Sequence, residues 1–144
     1  MSAPGRPPLI LGLVADLFFA APIEAAARAL GYRVAWEAGG AVEAGQPPGR
    51  QPAEPLVGHA AAFIQRVVEQ QPALVLVELS NDRIPWPEWV AALKSSPATR
   101  RIPVVAFGPH VDLELRARAE DVGCDLVLAK SAFMRDLPGL IHKH

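Results

Sequence analysis

Residues 72–78 read Pro72-Ala73-Leu74-Val75-Leu76-Val77-Glu78, a continuous apolar run that ends on an acid. A short, unbroken run of this kind is typical of a strand that is buried on both faces of a parallel sheet. In such sheets, functional side chains collect at the carboxyl ends of the strands. Glu78 stands at that end and is therefore the first candidate for a functional residue.

Strand-like and helix-like segments alternate along the rest of the chain. This alternation is typical of βαβ units, whose right-handed crossovers place helices on both faces of one sheet. Besides the run at 74–77, we predict strands at 9–14, 33–36 and 102–107 and a last strand before Lys130. We predict helices at about 22–30, 56–70, 111–122 and 132–141, with one more beginning near Pro87.

The length of 144 residues fits one compact core. We predict a single domain over residues 9–141, with tails at 1–8 and 142–144. Residues 39–54 are rich in glycine and proline and predict a long exposed loop inside the domain. Because this loop has no aromatic anchor, disorder is favoured over a binding function.

The composition excludes several classes of protein. Hydrophobic residues make up 51% of the chain, enough to bury a parallel sheet on both faces, and the net charge of −1 gives no general affinity for nucleic acid or membranes. No apolar run has the length of a membrane-spanning helix, and the N-terminus has no apolar signal core. The single cysteine excludes an internal disulfide and fits a reducing compartment. We therefore expect a cytoplasmic protein.

No residue pattern predicts a metal, a cofactor or a catalytic nucleophile. The four histidines have no companions at zinc-motif spacing, and one cysteine cannot supply a thiolate cluster. Neither Ser80 nor Cys124 has a recognisable base partner, so we expect no catalytic residues and no enzyme of the nucleophile class. Cys124 is expected to be a buried small thiol.

Several segments together resemble response-regulator receiver (CheY-like) domains. Residues 72–78 are similar to the third receiver strand, which ends in the aspartate that accepts phosphate. Gly31-Tyr32 before strand two, Ile102-Pro103-Val104-Val105 in strand four and Gly123-Cys124-Asp125 before the last strand are also similar to family motifs. The resemblance covers most of residues 9–141. It implies a doubly wound α/β fold with a five-stranded parallel sheet in the flavodoxin-like order 2-1-3-4-5.

The departures from the receiver pattern concern its chemistry. The phosphoacceptor position holds Glu78, and Gly108 replaces the Thr or Ser that ends strand four. An ungapped count places Val14 and Ala15 where receivers carry two metal-binding acids, with Asp16 just beyond. A loop shorter by one residue would bring Asp16 into that pair.

The family lysine is retained as Lys130, but Ser131 follows it in place of a proline, and Val127 takes the place of the switch aromatic. The resemblance therefore implies a degenerate site around Glu78. We expect the residues that line it to be Asp16, Ser80, Asp82, Gly108 and Lys130.

The role of Glu78 has two interpretations. It forms an ion pair with Lys130 at the edge of the sheet, or its longer side chain imitates a phosphorylated aspartate, although with less charge and fewer oxygens. Because Gly108 lacks the hydroxyl that would meet a phosphoryl oxygen, we favour a fixed scaffold over a permanently switched state.

Three functions remain open from the sequence. The favoured one is a phosphorylation-independent pseudo-receiver that binds another signalling protein. An atypical phosphoacceptor that uses Asp16 or Asp82 with Mg²⁺ is disfavoured, because Mg²⁺ binds through carboxylates and phosphate in octahedral geometry. A flavodoxin-like binder of small molecules, closed by the loop at Gly39-Gly40, has no phosphate-cradling glycine motif to support it.

The resemblance places the partner surface on helix four, strand five and helix five, where receivers often bind partners or a second copy of themselves. We expect Leu113, Arg116 and Glu120 on the outer face of helix four. The opposite stripe of that helix should be buried, and its members are Val111, Leu115, Ala119 and Val122. Trp86 is a further candidate, as an exposed contact residue near the site.

Overall fold

The computed structural model describes residues 7–15, 17–37, 56–81, 84–108 and 112–143. Strands and helices alternate strictly through these residues. The strands are β1 (Leu9–Leu13), β2 (Arg33–Trp36), β3 (Leu74–Glu78), β4 (Val104–Gly108) and β5 (Leu126–Ala129). The helices are α1 (Leu17–Ala29), α2 (Leu56–Gln70), α3 (Trp86–Ser95), α4 (Leu113–Asp121) and α5 (Lys130–Lys143).

The five strands form one parallel sheet in the order β2-β1-β3-β4-β5, which confirms the predicted topology. β3 lies in the centre, where Val77 pairs with Leu13 of β1 and Glu78 pairs with Phe107 of β4. Because all strands run the same way, Glu78 and Lys130 lie at the same carboxyl edge, as predicted.

Both faces of the sheet are buried, as the unbroken apolar run predicted. Alternate residues of β3 enter two different cores: Val75 and Val77 face the α2–α3–α4 side, whereas Leu74 and Leu76 face the α1–α5 side. Phe63 of α2 stacks on Trp89 of α3 with 4.4 Å between ring centroids, which fixes the packing of these helices.

The element boundaries differ from the prediction in two strands and three helices: β1 ends at Leu13 rather than at residue 14, and β4 spans Val104–Gly108 rather than 102–107. α1 begins at Leu17 rather than at Pro22, which lies inside the helix and cannot donate a backbone hydrogen bond there. α4 is shorter than predicted at both ends, and α5 begins two residues earlier and continues to Lys143, which includes part of the predicted tail. None of the described helices is long and apolar enough to cross a membrane. The predicted loop at 39–54 lies outside the described residues.

Gly12 in β1 makes room for the side chain of Trp36, which ends the edge strand β2. A Cβ atom on Gly12 would overlap the six-membered ring of the Trp36 indole. The indole Nε1 donates a hydrogen bond of 3.1 Å to Glu24 Oε2 on α1, so the ring cannot move away without breaking that bond. Because Gly12 has no side chain, the Trp36 ring can pack against β1 and hold the edge strand in place.

This arrangement predicts opposite effects for two Gly→Ala substitutions. Gly12→Ala should lower the free energy of unfolding by about 1–3 kcal/mol, since the new methyl group forces the Trp36 ring out of place. Gly139→Ala should raise it by about 0.5–1 kcal/mol, because Gly139 lies in α5 and a Cβ there meets nothing within 4 Å. Denaturant unfolding monitored by circular dichroism measures both. A Gly12→Ala protein as stable as the wild type would contradict the predicted overlap.

Candidate functional site

Glu78, the last residue of β3, binds the loop that follows β1. Its side chain is buried, with 5% of the residue exposed. Oε1 accepts a hydrogen bond of 2.9 Å from the Ala15 backbone N–H, and Oε2 accepts one of 3.2 Å from the Ser80 hydroxyl. The carboxylate is therefore directed towards the β1–α1 loop.

The sheet register explains why this bond forms. Leu13 pairs with Val77, so the chain that leaves β1 passes directly beside Glu78. Hydrogen bonds to charged acceptors contribute about 1.5–3 kcal/mol each, more than bonds between neutral groups. The bond from Ala15 thus fixes the β1–α1 loop to the central strand.

Asn81 makes a second tie between the same two elements, and the sequence did not identify it as a site residue. The residue is 4% exposed, and its Nδ2 donates a hydrogen bond of 3.2 Å to the Leu13 carbonyl oxygen. Its backbone N–H donates to the Glu78 carbonyl oxygen at 3.0 Å, which closes a turn after β3. An asparagine just after a strand was the available signal, because asparagine favours such turns.

Lys130 contacts an aromatic ring at this edge of the sheet. Its Nζ lies 5.3 Å from the centroid of the Phe19 ring, a cation–π geometry. Phe19 lies edge-on to Phe107 at 5.1 Å, and Phe107 stacks on Phe133 at 4.1 Å. The contact shown for the lysine is therefore with this aromatic cluster, whereas Glu78 binds Ala15 and Ser80. The ion pair between Glu78 and Lys130, one of the two interpretations drawn from the sequence, stays a prediction.

The described residues do not offer Mg²⁺ a suitable set of ligands. The two positions that count as the receiver acid pair hold Val14, which is buried, and Ala15, which is exposed. Mg²⁺ requires oxygen ligands in octahedral geometry. No group of three or more His, Cys, Asp or Glu side chains that could hold a metal occurs within the described parts of the chain. Asp16 and Asp82 lie outside the described residues.

Trp86 was predicted to be exposed and to contact a partner, and this prediction is wrong. Only 4% of the residue is exposed. The indole Nε1 donates a hydrogen bond of 3.0 Å to the Leu79 carbonyl oxygen, which anchors the start of α3 beneath the β3–α3 loop. The large apolar ring and its single donor are both satisfied in the interior, so Trp86 supports the site from within.

The predicted outer face of α4 is confirmed. Leu113 is 72% exposed, and Arg116 and Glu120 are exposed and form an ion pair at 3.7 Å. On the opposite face, Ala119 is buried and Leu115 packs against the core. Val122, another residue of the stripe, also packs against the core, whereas Val111 lies outside the described residues.

Cys124 is half-buried beside Asp125. Burial, with a smaller contribution from the negative charge of Asp125, raises the pKa of the Cys124 thiol to about 12. The residue is therefore a protonated thiol at neutral pH, and it is half-buried rather than fully buried as the sequence predicted.

The architecture is similar to solved receiver domains. A putative response regulator from Chloroflexus aurantiacus matches with a TM-score of 0.68 at 15% identity, covering 96% of this chain and 100% of that one. The receiver domain of a Pseudomonas aeruginosa sensor histidine kinase, which has magnesium coordinated in its active-site cleft, matches with a TM-score of 0.69 at 17% identity, covering 96% and 97%. A phosphorylated cyanobacterial phytochrome response regulator matches with a TM-score of 0.65 at 18% identity, covering 96% and 91%.

This is the receiver fold. No family model and no curated protein matches the sequence. At these identities the likeness shows the fold alone. Function has to be argued from the site itself.

Proposed function

We propose that this protein is a receiver-like module of two-component signalling that binds another protein and does not accept a phosphoryl group. One observation carries the proposal: the carboxylate at the phosphoacceptor position accepts hydrogen bonds from the Ala15 amide and the Ser80 hydroxyl. The receiver fold supports the signalling class, and the composition of the site supports the loss of phosphorylation.

Phosphoryl transfer depends on the alignment of the nucleophile and on the neutralisation of negative charge. Glu78 is buried and already engaged through both of its carboxylate oxygens. The side chains of Val14, Ala15 and Gly108 offer no oxygen atom to a metal ion or to a phosphoryl group. Lys130 remains, but a single cation over an aromatic ring does not assemble the reaction. The site therefore favours a structural role for Glu78.

The same geometry argues against Glu78 as an imitation of phospho-aspartate. A phosphoryl group offers three acceptor oxygens. Glu78 offers two, and each accepts a hydrogen bond from a residue next to β1 or β3. The carboxyl edge is then a fixed scaffold, as the sequence favoured, rather than a permanently switched state.

The outer face of α4 is the proposed partner surface. Leu113, at the start of the helix, is the most exposed large apolar residue among those described. Leu126, on the edge strand β5, is 38% exposed. An exposed apolar side chain near an arginine fits a protein contact, because interface cores are more apolar than the rest of the surface and arginine often dominates interface energies. The proposed partner is another signalling protein or a second copy of this chain.

We expect no phosphorylation of this protein by a small phosphodonor. Incubation of the wild type with acetyl phosphate and Mg²⁺, read by intact mass, should show no added phosphoryl group. Glu78→Asp should behave in the same way, because Gly108, Val14 and Ala15 remain unchanged. A receiver domain that accepts phosphate, treated in parallel, controls for the donor.

A stable phosphoryl group on Glu78, Asp16 or Asp82 would contradict the proposal and would favour the atypical phosphoacceptor. Robust phosphorylation of Glu78→Asp alone would show that the aspartate was the only missing part. Calorimetric titration with Mg²⁺ separates metal binding from phosphoryl transfer, since tight binding without phosphorylation would contradict only the metal part of the account.

Arg116→Glu should weaken partner binding with little effect on folding. Arg116 lies in an exposed i,i+4 pair with Glu120, and such pairs contribute about 0.3–0.5 kcal/mol. The reversed charge would repel Glu120 by a similar amount, so the melting temperature should barely change. Sedimentation velocity measures self-association, and surface plasmon resonance measures binding to a captured partner.

Arg118→Glu is the matched control, since it makes the same charge change in the same helix at an exposed position on another side. We expect Arg116→Glu to reduce association at least tenfold more than Arg118→Glu does, because a central arginine contributes far more than one at the rim, a difference of about 1.4 kcal/mol. Equal effects of the two variants would show only a dependence on net charge. If neither variant weakens association, the interface does not lie on α4.

A further inference from the structure

Leu79, the residue directly after Glu78, fills the space above Gly108. Its backbone N–H donates a hydrogen bond of 2.8 Å to the Phe107 carbonyl oxygen, which extends the pairing of β3 with β4. Only 5% of the residue is exposed. A Cβ atom built on Gly108 would lie 3.0 Å from Leu79 Cβ and 3.3 Å from its Cδ1. Carbon atoms in favourable contact lie about 3.5–4.0 Å apart, so a side chain at position 108 would press on Leu79 and require it to shift by a few tenths of an ångström.

Two hydrogen bonds hold the loop segment that contains Leu79. The indole Nε1 of Trp86 donates a hydrogen bond to the Leu79 carbonyl oxygen at 3.0 Å, and the two residues lie in the same buried core. Two residues further on, Asn81 donates its side-chain N–H to the Leu13 carbonyl oxygen on β1. The β3–α3 loop is thus fixed to β4, to α3 and to β1. These bonds oppose a displacement of Leu79 away from Gly108.

We infer that Leu79 is a packing lock that fixes the end of β4 against the loop after β3 and makes a side chain at position 108 costly. The inference rests on the proposed function, and it gives the physical reason why the carboxyl edge has one arrangement. A Ser or Thr at position 108 would have to displace Leu79. The end of β4, and the α4 surface that follows it in the chain, is then insensitive to events at Glu78.

The alternative is that Gly108 is an ordinary strand glycine and that Leu79 is an ordinary core leucine. Under the alternative, the costs of changing each residue add independently, because no shared space couples them. Under the lock, the cost of a side chain at 108 depends on the side chain at 79. The two accounts therefore differ in the result of a double-mutant cycle.

The cycle uses four proteins: the wild type, Gly108→Ser, Leu79→Ala and the double variant. Gly108→Ser should lower the melting temperature by roughly 3–9 °C in the wild-type background, from the cost of overpacking a core. In the Leu79→Ala background the loss should be smaller, because Cδ1, which would lie 3.3 Å from the new Cβ atom, is gone, whereas the contact with the Leu79 Cβ atom at 3.0 Å remains. An equal loss in both backgrounds would overturn the inference.

Gly139→Ser is the matched control for the cycle. A Cβ at Gly139 meets nothing within 4 Å, so this substitution should shift the melting temperature equally in the presence and absence of Leu79→Ala. Coupling at Gly139 as large as that at Gly108 would show that Leu79→Ala alters the fold as a whole and would overturn the lock.

Trp86→Phe provides a test that does not depend on the folding of Leu79→Ala. It keeps a large aromatic ring and removes the N–H that holds the Leu79 carbonyl. Hydrogen exchange at the Leu79 and Asn81 amides should then become about tenfold faster, while the Val75 amide in the centre of the sheet keeps its rate. No acceleration at Leu79 and Asn81, or equal acceleration at all three amides, would overturn the lock.

The outcomes for the lock and for the proposed function are separate. Phosphorylation of the wild-type protein, together with a coupled cycle, would leave the lock standing and reject the proposed function. A wild-type protein that takes no phosphoryl group, together with an additive cycle, would reject the lock alone.

Discussion

The hydrogen bond from the Ala15 amide to the Glu78 carboxylate is the contact on which the arrangement of the carboxyl edge depends. It joins the loop after β1 to the end of the central strand. A buried carboxylate needs such partners, because an unpaired charge in the interior is costly. The bond satisfies Glu78 and positions the β1–α1 loop at the same time. In the receiver fold this loop and this strand end are where phosphorylation chemistry would be assembled, and here they are bound to each other.

The remaining contacts at this edge of the sheet also join neighbouring elements to each other. Asn81 ties the loop after β3 to the end of β1, and Trp86 supports that loop from α3. Lys130 lies over Phe19, the first member of the aromatic cluster that also contains Phe107 and Phe133. These contacts stabilise one conformation of the edge. This arrangement supports the proposal that the protein presents a constant surface rather than changing its shape on a signal.

Most of the fold was predictable from the sequence, because parallel strands buried on both faces leave unbroken apolar runs. The run at 74–77 and the alternation around it predicted a parallel α/β sheet, and the resemblance to receiver domains implied its strand order, which the structure confirms. Prediction was weaker where tertiary contacts override local signals. Pro22 suggested the start of α1, yet the helix begins at Leu17 and contains the proline. The burial of Trp86 could not be read from its neighbours in sequence, since it depends on the position of the Leu79 carbonyl.

The site was predictable in its composition but not in its contacts. The sequence identified Glu78, Gly108 and Lys130 and the departures from the receiver pattern. It could not show that the Glu78 carboxylate is directed to Ala15. The donor of that bond is a backbone N–H, which nearly every residue type carries, so the identity of residue 15 does not predict it. For the same reason the packing of Leu79 on a glycine was missed: the signal lies in the distance between two strand ends.

The most direct test of this account is the hydrogen-exchange rate of the Ala15 amide in the wild type, Glu78→Gln and Glu78→Ala, measured by NMR. Glutamine keeps an oxygen that can accept the bond, whereas alanine has none. The account predicts that the amide is protected in the wild type and largely protected in Glu78→Gln. In Glu78→Ala it should exchange at least about tenfold faster, as expected for the loss of a bond to a charged acceptor. Equal exchange in all three proteins would contradict the claim that Glu78 holds the β1–α1 loop.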